Sequence, residues 1–238
     1  MNSPDRLRAL LAEPGFVVMP AVWDGLTAKL TYAAGFKTAF LSGSCVAASR
    51  LGGPDLDLLS FGEMFDSFQM VRGAAPDLLV LADGDHGYGN AMNAQRTVRA
   101  YGRAGAAAVL IEDKITPRAL TAAGKPCLPR DEAGMKIRAA VEAAKESGIL
   151  VMARTDCRPT AGIDEAVARI ELFVEEGVYT EAQLEALRAR GHVVRDISEI
   201  TTARPPAVGQ VNAIERNPLT GELYGVADAR RGGLARGY

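Results

Sequence analysis

The stretch Leu78–Asn93, LLVLADGDHGYGNAMN, decides how the rest of the chain is read. Leu78 to Ala82 is an unbroken apolar run of strand length. It ends in Asp83-Gly84-Asp85-His86-Gly87-Tyr88-Gly89-Asn90. Side chains alternate along a strand, so Asp83 and Asp85 are expected to point the same way. The glycines around them let the backbone turn tightly and come close to a ligand. Two carboxylates held together repel each other unless a cation neutralises them. A few oxygens on a strand tip, completed by water, suit Mg²⁺.

The same grammar repeats on both sides of this stretch. Phe16–Met19, Lys37–Leu41, Ala107–Ile111 and Ile149–Ala153 read as further strands. Each runs into a polar segment: Pro20–Asp24, Ser42-Gly43-Ser44, Glu112-Asp113 and Arg154-Thr155-Asp156. Helical patterns cover Leu26–Ala34, Phe61–Gly73, Ala94–Arg103, Glu132–Ser147 and Asp164–Glu176. Strands separated by helices pair in parallel through right-handed crossovers. Near-continuous apolar strands imply a sheet covered by helices. The expected fold is therefore α/β, of (β/α) TIM-barrel type but incomplete, with about five βα units. A Rossmann arrangement is disfavoured, since no G-x-G-x-x-G opens the first helix. Polar residues gathered at strand carboxyl ends are where barrel enzymes place their chemistry.

Beyond Gly177 the alternation stops. Thr180–Arg190 reads as a short charged helix, and Ser198–Ala207 is polar. Gly209–Glu215 and Leu223–Ala227, joined by Asn217-Pro218-Leu219-Thr220-Gly221, read as a β-hairpin, and Asp228–Tyr238 is rich in Arg and Gly. Two parts are expected: a partial barrel over residues 1–177 and a helix-plus-hairpin appendage over 178–238.

Composition narrows the function classes. The 238 residues are 48% hydrophobic and 24% charged, with a net charge of −2, as in ordinary globular proteins. That balance favours neither nucleic acid nor an anionic membrane as partner. Cys45, Cys127 and Cys157 are scattered and odd in number, without zinc spacing, so a reducing cytoplasm is the expected location. The opening stretch, MNSPDRLRALLAEPG, has an amphipathic helix pattern and lacks the long apolar core and cleavage site of a signal peptide. No apolar run approaches the ~18 residues of a membrane span.

Five motifs, taken together, resemble the isocitrate lyase/phosphoenolpyruvate mutase superfamily: SGS at Ser42–Ser44, LGGPD at Leu51–Asp55, DGDHGYGN at Asp83–Asn90, IEDK at Ile111–Lys114 and ARTD at Ala153–Asp156. The resemblance implies a Mg²⁺ enzyme, with Mn²⁺ as an alternative, acting on small 2-oxo acids or their enolates. It implies that Asp83 lies nearest the metal, with Asp85, Glu112 and Asp55 holding its water shell. Ser42, Gly43 and Ser44 are expected to present donors to the substrate, and Arg154 to grip a carboxylate. Ser42 and Arg154 are thus the candidate catalytic residues. Isocitrate and methylisocitrate lyases in this superfamily carry a K-[KR]-C-G-H loop whose Cys is acid/base. Lys114–Leu128, KITPRALTAAGKPCL, has no such motif. The chain looks more like the oxaloacetate decarboxylase branch, with dialkylmalates, phosphonopyruvate and phosphoenolpyruvate as alternative substrates. The last 55–60 residues, including GQVNAIERNPLTGELYGVADARRGGLARGY, resemble the end of γ-glutamyltransferases without their nucleophilic Thr.

Plainer roles compete at each position. Ser42 and Ser44 can cap the next helix. Arg154 can pair with Asp156 or Asp85. His86 fits a supporting hydrogen bond better than an acid, Trp23 fits packing at the barrel mouth, and His192 a structural role in the tail. Arg230-Arg231 fits a solvated end. An incomplete barrel leaves sheet edges open, so a homo-oligomer is expected. The rival to the lyase is a chimeric, inactive protein kept as a binding or oligomerising module.

Overall fold

The computed structural model describes residues 1–14, 16–117, 124–175, 211–216 and 223–227. The readings over 180–190, 198–207, 217–221 and 228–238, and at His192, lie outside these residues. Two compact units divide the chain, Met1–Thr180 and Glu181–Tyr238.

In the first unit the elements are α1 (Ser3–Ala12), β1 (Ala21–Val22), α2 (Gly25–Ala33), β2 (Thr38–Leu41), α3 (Gly43–Leu51), α4 (Phe61–Ala74), β3 (Leu79–Asp83), α5 (Ala91–Arg103), β4 (Ala108–Glu112), α6 (Arg130–Ala144), β5 (Leu150–Arg154), α7 (Arg158–Ala161) and α8 (Ile163–Glu175). The five strands form one parallel sheet in the order β1-β2-β3-β4-β5. Spatial order follows chain order without a reversal. A doubly wound sheet would switch direction at its first strand, so this is five strands' worth of barrel wall.

Burial explains the apolar runs. Val80, Ala82, Val109 and Ile111 belong to a large core with Val22, Phe68, Val98, Tyr101, Ile137 and Phe173 from the helices and β1. Their alternating neighbours Leu79, Leu81, Ala108 and Leu110 form a second cluster, joined by Leu7 of α1. Both faces of β3 and β4 are therefore buried, so neither strand shows polar alternation. Asp83 follows Leu79 and Leu81 at intervals of two, and Glu112 follows Ala108 and Leu110. Both carboxylates stand on the second cluster's face, at the carboxyl end.

Two sequence expectations shift. The first strand is Ala21–Val22, pairing with Phe40 and Leu41, and not Phe16–Met19. Phe16 and Val18 are 56% and 60% exposed, so half of that apolar run faces outwards and the chain joins the sheet only at Pro20, whose carbonyl accepts from the Phe40 amide. Helix α3 also begins directly after β2, with Ser42 as its cap. Gly43 and the small residues that follow it had hidden the helix.

The second unit contains β6 (Val211–Arg216) and β7 (Leu223–Ala227), an antiparallel pair running from Val211↔Ala227 to Arg216↔Leu223. These are the strands of the expected hairpin.

Phe68 is wholly buried and packs edge-on to Tyr101, with ring centroids 5.3 Å apart. Phe68→Ala is expected to cost about 3–5 kcal/mol in chemical denaturation. Met92→Ala, at a side chain that is 77% exposed, should stay within ~0.5 kcal/mol.

Candidate active site

The carboxyl ends of β3, β4 and β5 and the loop between α3 and α4 bring the predicted residues together. After Asp83 the chain leaves the strand in a tight turn. Gly84 donates its amide to the Leu110 carbonyl at 2.9 Å, and a Cβ there would stand 2.6 Å from that oxygen. Only glycine lets β3 and β4 stay this close at the tip. Asp85 (φ 48) and Tyr88 (φ 59) occupy the left-handed region. Asp85 therefore reaches Asp83's neighbourhood through a turn, and not by the strand alternation expected from sequence. Lys136 of α6 pins the turn, donating to the His86 carbonyl at 2.9 Å.

Asp83 is 7% exposed and receives two backbone donors, Gly43 N at 3.0 Å and Asp85 N at 3.1 Å. No ammonium or guanidinium bonds to it among the described residues. Burial, then the charges of Asp85 and Glu112, push its pKa up to about 7. Asp85 accepts from Lys114 Nζ through Oδ1 (3.0 Å) and from the Tyr88 hydroxyl through Oδ2 (2.9 Å). Glu112, 3% exposed, meets Arg154 Nη1 at 3.0 Å and Lys114 Nζ at 3.0 Å. Arg154, its register partner on β5, also donates twice to Asp156 Oδ1. Asp55 lies with Asp57 and Asp85 so that one oxygen of each falls within 4.8 Å of the others.

The three-residue SGS segment has local work to do. Ser42 Oγ caps α3 by accepting from Cys45 N at 3.4 Å and lies 3.1 Å from Ser44 Oγ. The Gly43 amide is committed to Asp83, and a Cβ on Gly43 would come within 2.9 Å of Asp83 Oδ2. His86 is buried with Nδ1 lacking a hydrogen bond, and burial lowers its pKa. The Cys127 thiol is pushed far up, first by burial and then by Asp113, which leaves it a poor acid/base near neutral pH.

Three residues that sequence reasoning left out complete the cluster. Lys114, directly after the ED pair, is the central cation, with its ammonium 2.8 Å from Asp57 Oδ1 as well. Burial opposes its charge, but Asp85, Glu112 and Asp57 outweigh burial and hold its pKa above the usual lysine range. Lys125 bonds Asp156 at 3.0 Å and lies 3.6 Å from Glu112. Asp57, two residues after Asp55, is the third. Spacing gave a signal for Asp57 and Lys114, since both adjoin quoted motifs. For Lys125, at the far side of a long loop, it gave none.

The residues fit a hard divalent cation. The donors are all oxygens, and those of Glu112 and Asp57 are held out of water beside a shared cation, Lys114. Asp57 Oδ1 and Glu112 Oε2 meet the Lys114 ammonium at 2.8 and 3.0 Å.

A parallel sheet whose carboxylates and cations converge at the carboxyl ends of its strands has the layout of a (β/α)-barrel enzyme. The chain belongs to the phosphoenolpyruvate phosphomutase family, whose sequence profile matches residues 7–199. It is 40% identical over 174 residues to an oxaloacetate decarboxylase of Paraburkholderia xenovorans (strain LB400), covering 73% of this chain and 58% of that protein. It superposes on the crystal structure of 2,3-dimethylmalate lyase, a PEP mutase/isocitrate lyase superfamily member, with TM-score 0.68 and 36% identity, over 74% of this chain and 61% of that one. A phosphonopyruvate hydrolase in complex with oxalate and Mg²⁺ superposes with TM-score 0.67 and 30% identity, over 74% and 61% of the two chains. The chain thus spans about three fifths of these proteins' length. Among the described residues no helix is long and apolar enough to cross a membrane.

The raised pKa of Asp83 sets a pH dependence for metal-free protein. A carboxyl that holds its proton better when folded makes the native state bind more protons, so stability falls as pH rises from about 4 to about 7. Thermal unfolding in EDTA should show that decline. Asp83→Asn should flatten it, and an equal slope in the variant would contradict the assignment.

Proposed function

We propose that this chain is a divalent-cation-dependent lyase that breaks a C–C bond of a small 2-oxo acid or related carboxylate through an enolate, with oxaloacetate as the leading substrate and dialkylmalates, which are 2-hydroxy acids, next. The convergence of Asp83, Asp85, Glu112 and Arg154 at neighbouring strand ends carries the reading. The family membership supports it, and favours it over an inactive binding module.

Asp83, Asp85, Glu112 and Asp55 would hold Mg²⁺ or Mn²⁺, directly or through water. The cation supplies the electron-withdrawing centre that a 2-oxo acid needs when the bond beta to its carbonyl breaks. The chain's own residues do the rest. Arg154 keeps 31% of its side chain exposed, and by releasing Asp156 its planar guanidinium can take a substrate carboxylate in a two-point contact. Lys125 neutralises Asp156 in that exchange, at 3.0 Å. Ser42 and Ser44 offer hydroxyls to a substrate oxygen, while Gly43 orients Asp83. Asp113 fixes this wall: its carboxylate accepts from Thr155 Oγ1, the Asp156 amide and Arg169 Nη1. Self-association is part of the proposal, since β1 and β5 end the sheet.

Pyruvate release from oxaloacetate in Mg²⁺, corrected for the protein-free rate, tests the reading. Asp83→Ala and EDTA should each lower the rate by at least about a hundredfold. Arg154→Gln should raise KM. Equal rates for wild type and Asp83→Ala would remove the proposal.

A further inference from the structure

Lys114 has no assigned part in the chemistry above, yet its ammonium is among the most enclosed charges of the first unit. Its side chain is 1% exposed, and Nζ lies 2.8 Å from Asp57 Oδ1, 3.0 Å from Asp85 Oδ1 and 3.0 Å from Glu112 Oε2. The three carboxylates come from the α3–α4 loop, the turn after β3 and the end of β4, so one cation ties three elements.

Asp57 is costly to keep. Its backbone sits at φ 60, where L residues are strained, and its side chain is 1% exposed, met by the Lys114 ammonium 2.8 Å from Oδ1. Strain of that kind costs about 1–3 kcal/mol, and a carboxylate out of water is tolerated only while a cation stays beside it. What the position gains is proximity to charge: Asp55, Asp57 and Asp85 can each turn one oxygen to a common point. Glu112 Oε2, outside that trio, is a further buried oxygen on the same ammonium, at 3.0 Å.

Two members of the trio are the ones Lys114 already holds. Asp85 has one oxygen on Lys114 and the other on the Tyr88 hydroxyl. A cation binding directly to the trio meets the ammonium on oxygens it needs. Like charges at such distances in a poorly hydrated pocket exclude each other.

We propose that Lys114 is a tethered counter-cation, which neutralises Asp57, Asp85 and Glu112 in the metal-free protein and gives up Asp57 and Asp85 when a divalent cation binds, and that Asp57 is a ligand of that cation. The proposal rests on the divalent-cation reading above and adds the exchange and the extra ligand. One ammonium leaves as one dication arrives, so the cluster is never without positive charge.

Mn²⁺ binding, followed by the electron paramagnetic resonance signal of the free ion, tests it without reference to turnover. Lys114→Met should bind Mn²⁺ about tenfold more tightly than wild type, because its competitor is gone. Asp57→Asn, which keeps the size and tolerates positive φ, should bind about tenfold or more weakly. Binding by Lys114→Met that is unchanged or weaker overturns the exchange, and unchanged binding by Asp57→Asn overturns the ligand assignment. Absence of Mn²⁺ binding by wild type overturns the divalent-cation reading itself. A second measurement needs no variant. In ¹⁵N-lysine-labelled protein the enclosed Lys114 Nζ resonance should shift or broaden on titration with Mg²⁺, and a resonance unmoved at saturation overturns the exchange.

Discussion

Carboxylates brought together out of water are the constraint around which the first unit is built. Asp83, Asp85, Glu112 and Asp113 are all buried at the ends of two adjacent strands. Left unmatched, such charges are more destabilising than any single packing contact is stabilising. Each is met differently. Asp113 is closed off by Arg169, Thr155 and a backbone amide, which makes it structural. Glu112 is shared among Arg154, Lys114 and, further off, Lys125. Asp85 is held by Lys114 and Tyr88. Asp83 has only backbone donors among the described residues, and burial followed by the charges of Asp85 and Glu112 raises its proton affinity. The protein supplies enough positive charge to fold around the cluster but leaves room for more.

The sheet makes that arrangement inexpensive in geometry. Parallel register sets Glu112 beside Arg154 and Asp83 beside Leu110, so the polar tips line up because the apolar segments behind them do. Burial of both faces of β3 and β4 fixes the strands, and Gly84 lets their tips approach closely enough for the turn to fold back. Packing, register and charge thus depend on the same few residues at the strand ends.

Much of this was legible in the sequence because it obeys short periods. Apolar runs followed by polar tips marked four of the five strands to within a residue, and glycines after helices marked the returns. The first strand escaped because Phe16 and Val18 are apolar yet outward-facing, a distinction that composition does not carry. Helix α3 escaped because its small residues look like a loop. At the site, the motif carboxylates and Arg154 were readable. Asp57 and Lys114 adjoin those motifs, but their partnership was not readable: a buried lysine beside three acids is a property of tertiary convergence. Asp85 was placed near Asp83 for the wrong local reason, since a left-handed turn and not strand alternation delivers it.

The central claim is that these carboxylates form a divalent-cation site in which Lys114 is the resident charge. The most direct measurement is a crystal structure of the metal-free protein and of the same crystals soaked in Mn²⁺, with anomalous scattering to locate the ion. One anomalous peak is expected among Asp55, Asp57, Asp83, Asp85 and Glu112, with the Lys114 ammonium withdrawn from Asp57 and Asp85. An ammonium still seated on Asp57, Asp85 and Glu112 at saturating Mn²⁺, with no peak beside it, would contradict the account.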